Sequence, residues 1–236
     1  MQKLMPPLVR IEDVKIEQML RGGGESPRSQ GEKGRRKEGW SRLVLLSACL
    51  AVHDVCVVPR QERTEALVEE ACLRSFSNRH QQFHSGEHYL QTRCDIIRHL
   101  QRFMVQDSCD GEVMARFESF TVYVEELDME LTQQFHLITV QDQADGEGGY
   151  IVQKLVADEN PESLELYFHM TVVFGMCAFG RLPSRVEALV PLSGRRFAWK
   201  PEWQQWQKSL DYMRLVKSML ESSEATSGSR HAHPAM

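Results

Sequence analysis

Apolar residues recur at helical spacing in two segments of the first half of the chain. Residues 64–76 and 86–104 each place a stripe of apolar side chains on one face and leave charged side chains for solvent. The first stripe contains Leu67, Val68, Ala71, Cys72 and Phe76, and the second contains Leu90, Cys94, Ile97, Leu100 and Phe103 or Met104. The spacing predicts two amphipathic helices.

The pattern changes from helical to alternating after residue 104. Residues 117–124 are rich in aromatic and β-branched side chains, and apolar residues alternate with others over 127–131. Two further apolar segments, 135–140 and 150–156, are separated by glycines of the kind that tight strand reversals use. We predict three or four strands that form a β-meander.

The last third of the chain returns to helices around one more strand. Residues 162–178 are apolar on most sides and predict a buried helix, and residues 185–192 predict a strand. Pro191 must lie at the end of that strand or on a sheet edge, because it has no N–H for the ladder. Residues 199–219 carry an apolar face and predict a closing helix.

The two ends of the chain differ in composition from its centre. Residues 21–39 are rich in Gly, Ser, Arg and Lys without an apolar period, which is typical of a flexible linker. Before this linker, residues 8–20 have apolar residues that suggest a short amphipathic helix. The domain prediction is a short N-terminal segment (1–20), a flexible basic linker (21–39), one α/β domain (40–221) and a disordered tail (222–236).

Composition narrows the classes of protein to which this chain can belong. Its 236 residues are 42% hydrophobic, enough for one domain with a sizeable core. The formal net charge of −5 gives no general attraction to nucleic acid, so any DNA contact must be local. The six cysteines include no Cys-x-x-Cys pair, which argues against a zinc ribbon and suggests reduced thiols in the cytoplasm. The longest apolar run, 43–52, is too short to span a membrane.

Three short segments in the second half of the chain follow one another as the end of a strand, a second strand and the start of a helix. Residues 137–140 (LITV) end one strand, residues 151–155 (IVQKL) lie in the next, and residues 163–167 (SLELY) open the following helix. This order resembles the RecB-like branch of the PD-(D/E)XK nuclease superfamily over about residues 117–219. In that family a β-meander carries an Asp and then Asp-x-Lys, and a helix with Gln-x-x-x-Tyr follows. The resemblance implies an α/β fold with a restriction-endonuclease-like core, here with extra N-terminal helices.

The residues that the family uses for catalysis are replaced in this chain. Thr139 stands at the first Asp, Gln153 at the second acid and Leu155 at the lysine, and only Tyr167 of the helix motif is retained. Hydrolysis of a phosphodiester in this family needs Mg²⁺ held by two carboxylates, with a lysine beside them. We therefore expect a pseudoenzyme without cofactor: a scaffold or a protein or nucleic-acid binding module, in the setting of DNA repair or processing that the resemblance implies.

Two alternatives remain open at this point. The first is an active Mg²⁺-dependent DNA exonuclease or endonuclease in which the catalytic residues have migrated to Asp142, Asp158 or Glu159, and Lys154. A shift of one residue along a strand, however, sends a side chain to the opposite face of the sheet. The second alternative is an unrelated α/β protein whose helices bind a partner. Adjacent strands over 117–156, flanked by a helix near Pro161, would separate the nuclease-like fold from this case.

Other polar residues are candidates for binding. His84 and His88 are four residues apart and are candidate metal ligands, although scattered surface histidines are the commoner outcome. Arg35, Arg36 and Lys37 are candidates for contact with nucleic acid, against the alternative of a solvated linker. The partner is a protein or DNA, no membrane association is expected, and the sequence leaves the oligomeric state open.

Overall fold

The computed structural model describes residues 9–13, 16, 32–107, 111–141 and 149–228, and of residues 32–38 and 223–228 it describes the backbone alone. These residues form a mixed six-stranded sheet with helices on both faces. The strands are β1 (Val9–Glu12), β2 (Glu112–Val124), β3 (Met129–Gln141), β4 (Gly149–Leu155), β5 (Arg185–Val190) and β6 (Arg195–Trp199). The helices are α1 (Glu32–Val55), α2 (Glu65–Ser75), α3 (Gly86–Gln101), α4 (Pro161–Phe179) and α5 (Trp203–Gly228).

The sheet is built around an antiparallel meander. β2 pairs with β3 and β3 with β4, both antiparallel. β4 and β5 are parallel neighbours joined through α4, and β6 returns antiparallel to β5. β1 is parallel to the first part of β3, on the side of β3 that β4 occupies further along. The α/β class and the meander flanked by helices are therefore confirmed.

The helix boundaries follow from capping residues in the sequence. Thr64 and Ser85 accept hydrogen bonds from backbone N–H groups in the first turns of α2 and α3. Asn160 caps α4 in the same way, and Pro161 occupies the first turn, where its missing N–H costs nothing. Gly180 ends α4 with a φ of 66°, a conformation that glycine adopts without strain. These caps explain why α2, α3 and α4 begin where the apolar periodicity predicts.

Each face of the sheet has its own hydrophobic core. On one face α4 and α5 cover a cluster that includes Phe135 and Phe174, whose ring centroids are 4.9 Å apart. On the other face α1, α2 and α3 cover a cluster that includes Ile96, Leu100 and Leu155. None of the described helices is both long enough and apolar enough to cross a bilayer.

β3 changes face at His136. Phe135 packs in the cluster under α4, whereas Leu137, two residues further on, packs in the cluster under α1–α3. In a regular strand these two side chains would share a face. Phe117 lies opposite on β2 with a φ of 51°, and its ring stacks on His136 at 4.9 Å. This irregularity decides which side chains of the second half of β3 lie beside α1–α3.

Three parts of the chain differ from the sequence prediction. Residues 9–12, within the segment predicted as a short helix, form β1, because Ile11 is buried in pairing with the distant strand β3. The predicted linker 21–39 overlaps α1 from Glu32 onward; Glu, Lys and Arg are good helix formers, which explains a helix without an apolar stripe there. The predicted tail 222–236 overlaps α5, which continues to Gly228.

Candidate functional site

The three positions that the sequence resemblance aligns with catalytic residues, Thr139, Gln153 and Leu155, share one face of the sheet. Gln153 lies directly opposite Leu137, and Thr139 lies two residues further along β3. Leu155 packs in the same cluster as Leu137, under α1–α3. Thr139 and Gln153 both line a narrow crevice on this face. Tyr167 lies on α4, across the sheet, and its hydroxyl donates to the backbone oxygen of Glu187 at 3.2 Å.

Glu187 on β5 is an acid in direct contact with one of these positions. It pairs with Gln153 across the parallel strands, and Gln153 Nε2 donates to its Oε2 at 2.6 Å. Arg185 Nε lies 2.8 Å from Glu187 Oε1, and an Arg196 nitrogen lies 3.8 Å from the same oxygen. The residue is only 1% exposed. Sequence reasoning missed Glu187, although an acid among apolar residues in a buried strand was a usable signal.

Lys154, proposed as a migrated catalytic lysine, lies on the opposite face from Gln153. Its Nζ is 3.1 Å from Asp13 Oδ2, and both side chains are 7% exposed. The same Asp13 oxygen accepts a hydrogen bond from Gln134 N at 3.2 Å. The Lys154 ammonium also lies 5.5 Å from the centre of the Tyr167 ring. Lys154 is therefore placed as the counterion of Asp13, in the side of the molecule covered by α4.

The other members of the alternative catalytic set take different partners. Glu159 accepts a hydrogen bond from Ser193 Oγ at 2.7 Å and forms an ion pair with Arg195. Asp158 Oδ1 accepts from the backbone N–H of Asn160 at 3.2 Å, in the turn before α4. Asp142 lies outside the described residues. The structure thus brings Thr139 and Gln153 together but gives Lys154 and Glu159 partners in separate places.

His84 and His88 are neighbours on the surface. Their ring centroids are 4.8 Å apart, and the His84 backbone N–H points to His88 Nδ1 at 3.4 Å. The His88 backbone N–H donates to Ser85, which caps α3. Within the described ranges, no group of three or more histidine, cysteine or acidic side chains is placed to hold a metal ion. Arg35, Arg36 and Lys37 lie in the first turns of α1, and their side chains are outside the description.

A buried histidine on β3 lies beside a half-buried cysteine of α1. His136 Nδ1 accepts the backbone N–H of Leu155 at 3.0 Å and lies 3.9 Å from Cys49 Sγ. Burial, and then the charge of Lys154, lowers the pKa of His136 to about 3. Burial raises the pKa of the Cys49 thiol to about 12. Both groups are neutral near pH 7, so this pair lacks the thiolate that a nucleophilic cysteine needs.

A larger cavity of about 780 Å³ opens beside the crevice. Four residues line both spaces: Cys56, Arg63, Gly111 and Val113. One wall is the loop that follows α1, and the other wall is formed by the start of β2 and the end of β3. Three arginines, Arg60, Arg63 and Arg116, and one acid, Glu112, are among the residues that line it.

The cavity walls are held by backbone contacts. The loop after α1 is tightened by Cys56 N–H donating to Val52 O at 2.9 Å and Val58 N–H donating to Val55 O at 3.1 Å. Arg63 Nε donates to Val58 O at 3.0 Å, which orients its guanidinium. On the other wall, Gly111 has a φ of 136°, and a Cβ there would lie 2.1 Å from the backbone oxygen of Val140. Only glycine permits this close approach of β2 to β3.

Guanidinium groups from both walls of the cavity affect the pKa of one thiol, that of Cys56. Burial raises the pKa of Cys56, and the charges of Arg63 and Arg116 oppose that rise. Sequence reasoning missed this cluster, because Arg116 is far from Arg60 and Arg63 along the chain and none of them belongs to a basic run.

No protein-family model matches the chain, and no curated protein sequence matches it. What the site can do must therefore follow from its side chains. The crevice offers the neutral polar groups of Thr139 and Gln153, and Glu187, which accepts a hydrogen bond from Gln153, is already engaged by guanidinium groups. The cavity beside it has more cationic than anionic side chains. This set favours an anion over a divalent cation, which prefers oxygen ligands that bear negative charge.

Proposed function

We propose that this protein is a non-catalytic relative of the PD-(D/E)XK nucleases that serves as a binding module in DNA processing. Adjacent strands over 117–156 and a helix that begins at Pro161 are what the resemblance requires, and β2, β3, β4 and α4 have this arrangement. The parallel return from β4 to β5 supports the same relationship. The function would then be recognition of a partner or of nucleic acid, without hydrolysis.

One observation carries the proposal: the positions that would hold the metal bear no free carboxylate. Thr139 and Gln153 are neutral, and the Glu187 carboxylate lies 2.8 Å from Arg185 Nε. A Mg²⁺ ion at this place would face a guanidinium at close range and would lack the second carboxylate. The like-charge repulsion that two or three acids would create is absent, so the face is stable without metal.

The alternative of migrated catalytic residues gains no support from the placement of the side chains. Lys154 is already the partner of Asp13, on the face opposite to Gln153. Glu159 is the partner of Arg195 beyond the end of β5. Metal-dependent hydrolysis would require a water-activating lysine and a metal-binding acid at one point, and Lys154 and Glu159 instead have partners in separate places.

A direct test is titration of the full chain with Mg²⁺ and Mn²⁺ by calorimetry, beside a cleavage assay on single- and double-stranded DNA. We expect no heat of binding and no cleavage. Metal-dependent cleavage that is abolished by Asp142→Ala or Glu159→Ala would overturn the non-catalytic proposal. Lys154→Ala is unsuitable as a catalytic control, because it leaves the buried Asp13 without its cation.

Restoration of the family residues tests the register itself. The triple variant Thr139→Asp, Gln153→Glu, Leu155→Lys is expected to bind Mn²⁺, because it places two acids on one face of neighbouring strands. A matched control replaces the first change with Gln141→Asp, which moves the acid two residues along β3. Both variants are checked for folding by circular dichroism. A folded triple variant that binds Mn²⁺ no better than the control would contradict the assigned register.

A further inference from the structure

Arg63 and Arg116 differ from most arginines of the described chain in having no acid partner. Elsewhere ion pairs are the rule, as in Arg10 with Glu130 and Arg195 with Glu159. In the described residues, no carboxylate lies within ion-pair distance of Arg63 or Arg116. Within the part of the chain that the structure describes, no ion pair takes up their positive charge, whereas the arginines beside Glu187 are already neutralised.

The cavity that these arginines line has the volume of a ligand site and a largely polar lining. Its volume of about 780 Å³ lies within the range of roughly 300–1,000 Å³ that is usual for small-molecule sites. Apolar wall residues, among them Val57, Pro59 and Val113, offer a surface for a sugar or base. Gln61 and Gln141 add neutral hydrogen-bonding groups.

We propose that this cavity binds the phosphate group of a nucleotide, either free or within a nucleic-acid strand, through Arg63 and Arg116. The planar guanidinium group matches the oxygens of a phosphate in bidentate hydrogen bonds. Arg63 is held in place by its bond to Val58 O, and Arg116 lies on β2, opposite Leu137 of β3, in the other wall of the cavity. The inference rests on the proposed binding role but does not depend on the lost metal site.

The negative net charge of the chain affects how a phosphate can be recognised. A formal charge of −5 opposes long-range attraction of nucleic acid, so a phosphate must be recognised by local contacts. Binding should therefore depend strongly on the two arginines and on salt concentration.

The test measures binding of two probes in EDTA, so that metal chemistry does not contribute. Adenosine monophosphate is titrated by calorimetry, and a fluorescein-labelled dT12 strand is titrated by polarisation, with the full chain. Arg116→Gln is the principal variant because Arg116 forms no hydrogen bond or ion pair with the described residues, and Arg63→Gln is the second. Arg42→Gln is the matched control: Arg42 is exposed on α1, roughly 20 Å along the helix axis from Val55.

We expect the wild-type chain to bind at least one probe, and Arg116→Gln to weaken that binding by about tenfold. Arg42→Gln should remain within about twofold of the wild type. Similar affinity for both probes indicates a free nucleotide as ligand. Binding of the strand alone indicates nucleic acid, and the slope of log affinity against log salt should then fall by about 0.7 for the lost contact.

Two results would overturn the inference. One is a wild-type chain that binds neither probe at low salt. The other is an Arg116→Gln variant that is folded, as judged by thermal unfolding, and binds as tightly as Arg42→Gln. Neither result affects the non-catalytic proposal, which fails only if metal-dependent cleavage is observed.

Discussion

Glu187, Lys154 and His136 are ionisable side chains inside the core, and each is buried with a specific neighbour. Glu187 has Gln153 and Arg185, and Lys154 has Asp13. His136 instead remains neutral and accepts a backbone N–H. A buried charge without a partner costs several kcal/mol, so the stability of this protein depends on these few contacts.

Replacement of Glu187 by Gln should destabilise the protein by about 1.5–3 kcal/mol, because the hydrogen bond from Gln153 and the ion pair with Arg185 lose their negative charge. The measurement is urea-induced unfolding at pH 7. Glu159→Gln is the control, since the Glu159 pair with Arg195 is largely exposed and should contribute less than about 1 kcal/mol. Equal losses in the two variants would be evidence against the role of Glu187.

His136 should make stability fall as the solution becomes acidic. Its folded-state pKa, about 3, lies below the ordinary value of about 6.5 of the unfolded chain. From pH 6.5 down to about 3 the unfolded state alone takes up this proton, so each unit costs on the order of 1 kcal/mol. Above pH 6.5 the effect is absent. Unfolding by urea between pH 7 and 5 measures this slope.

The control for this pH dependence is a pair of variants. His136→Gln should flatten the slope between pH 7 and 5, whereas His84→Gln, at an exposed site, should leave it unchanged. The idea fails if the wild type and His136→Gln lose stability in parallel as the pH falls.

At the scale of elements, the position of α4 against the sheet depends on a glycine within the helix. A Cβ on Gly175 would lie 2.2 Å from Tyr150 Oη, so the helix approaches β4 more closely than alanine would allow. The Tyr150 hydroxyl in turn donates to Arg181 O at 3.0 Å, just beyond the end of α4. Gly175 therefore allows α4 to pack closely on Tyr150, although glycine is a poorer helix former than alanine.

Gly175→Ala should destabilise the protein by about 1–3 kcal/mol through overpacking, although alanine is the better helix former by about 1 kcal/mol. Gly86→Ala is the matched control. Gly86 begins α3, and no atom lies within 4 Å of a Cβ placed there, so its substitution should be neutral or slightly stabilising. Thermal unfolding compares the two. Identical shifts in Tm would show that the close contact with Tyr150 is unimportant.

At the scale of the whole molecule, β1 and β4 lie end to end along the same edge of β3. β1 pairs with residues up to Thr132, and β4 pairs from Leu137 onward. The ion pair between Asp13 and Lys154 bridges the gap and joins positions 141 residues apart in sequence. It thereby fastens the N-terminal strand to the centre of the sheet.

Lys154→Met should destabilise the protein by about 3–5 kcal/mol, because Asp13 would remain charged and buried. Adding Asp13→Asn should restore part of this loss, since the amide oxygen still accepts from Gln134 N. A double-mutant cycle by urea unfolding measures the coupling. The exposed pair Arg10–Glu130, which joins β1 to β3, should give less than about 1 kcal/mol. A coupling near zero for Asp13 and Lys154 would contradict the bridging role.

Local features of the sequence were sufficient to predict most of the elements. Apolar periodicity and capping residues located α2, α3 and α4, because both signals lie within the element they define. Alternation located the meander strands. The same reasoning did not find β1, since four residues become a strand only when a distant partner is present. It also did not find β6, a short strand that follows a turn.

The sequence by itself determined that the positions which the resemblance assigns to metal ligands are neutral, because residue type alone decides whether Thr139 or Gln153 can supply a negative charge. Only the tertiary structure decided which charges meet. Asp13 is buried against Lys154, which lies 141 residues further along the chain. Arg63 and Arg116 reach the same cavity from different walls. Such encounters depend on strand register and on the change of face at His136, which no local pattern specifies.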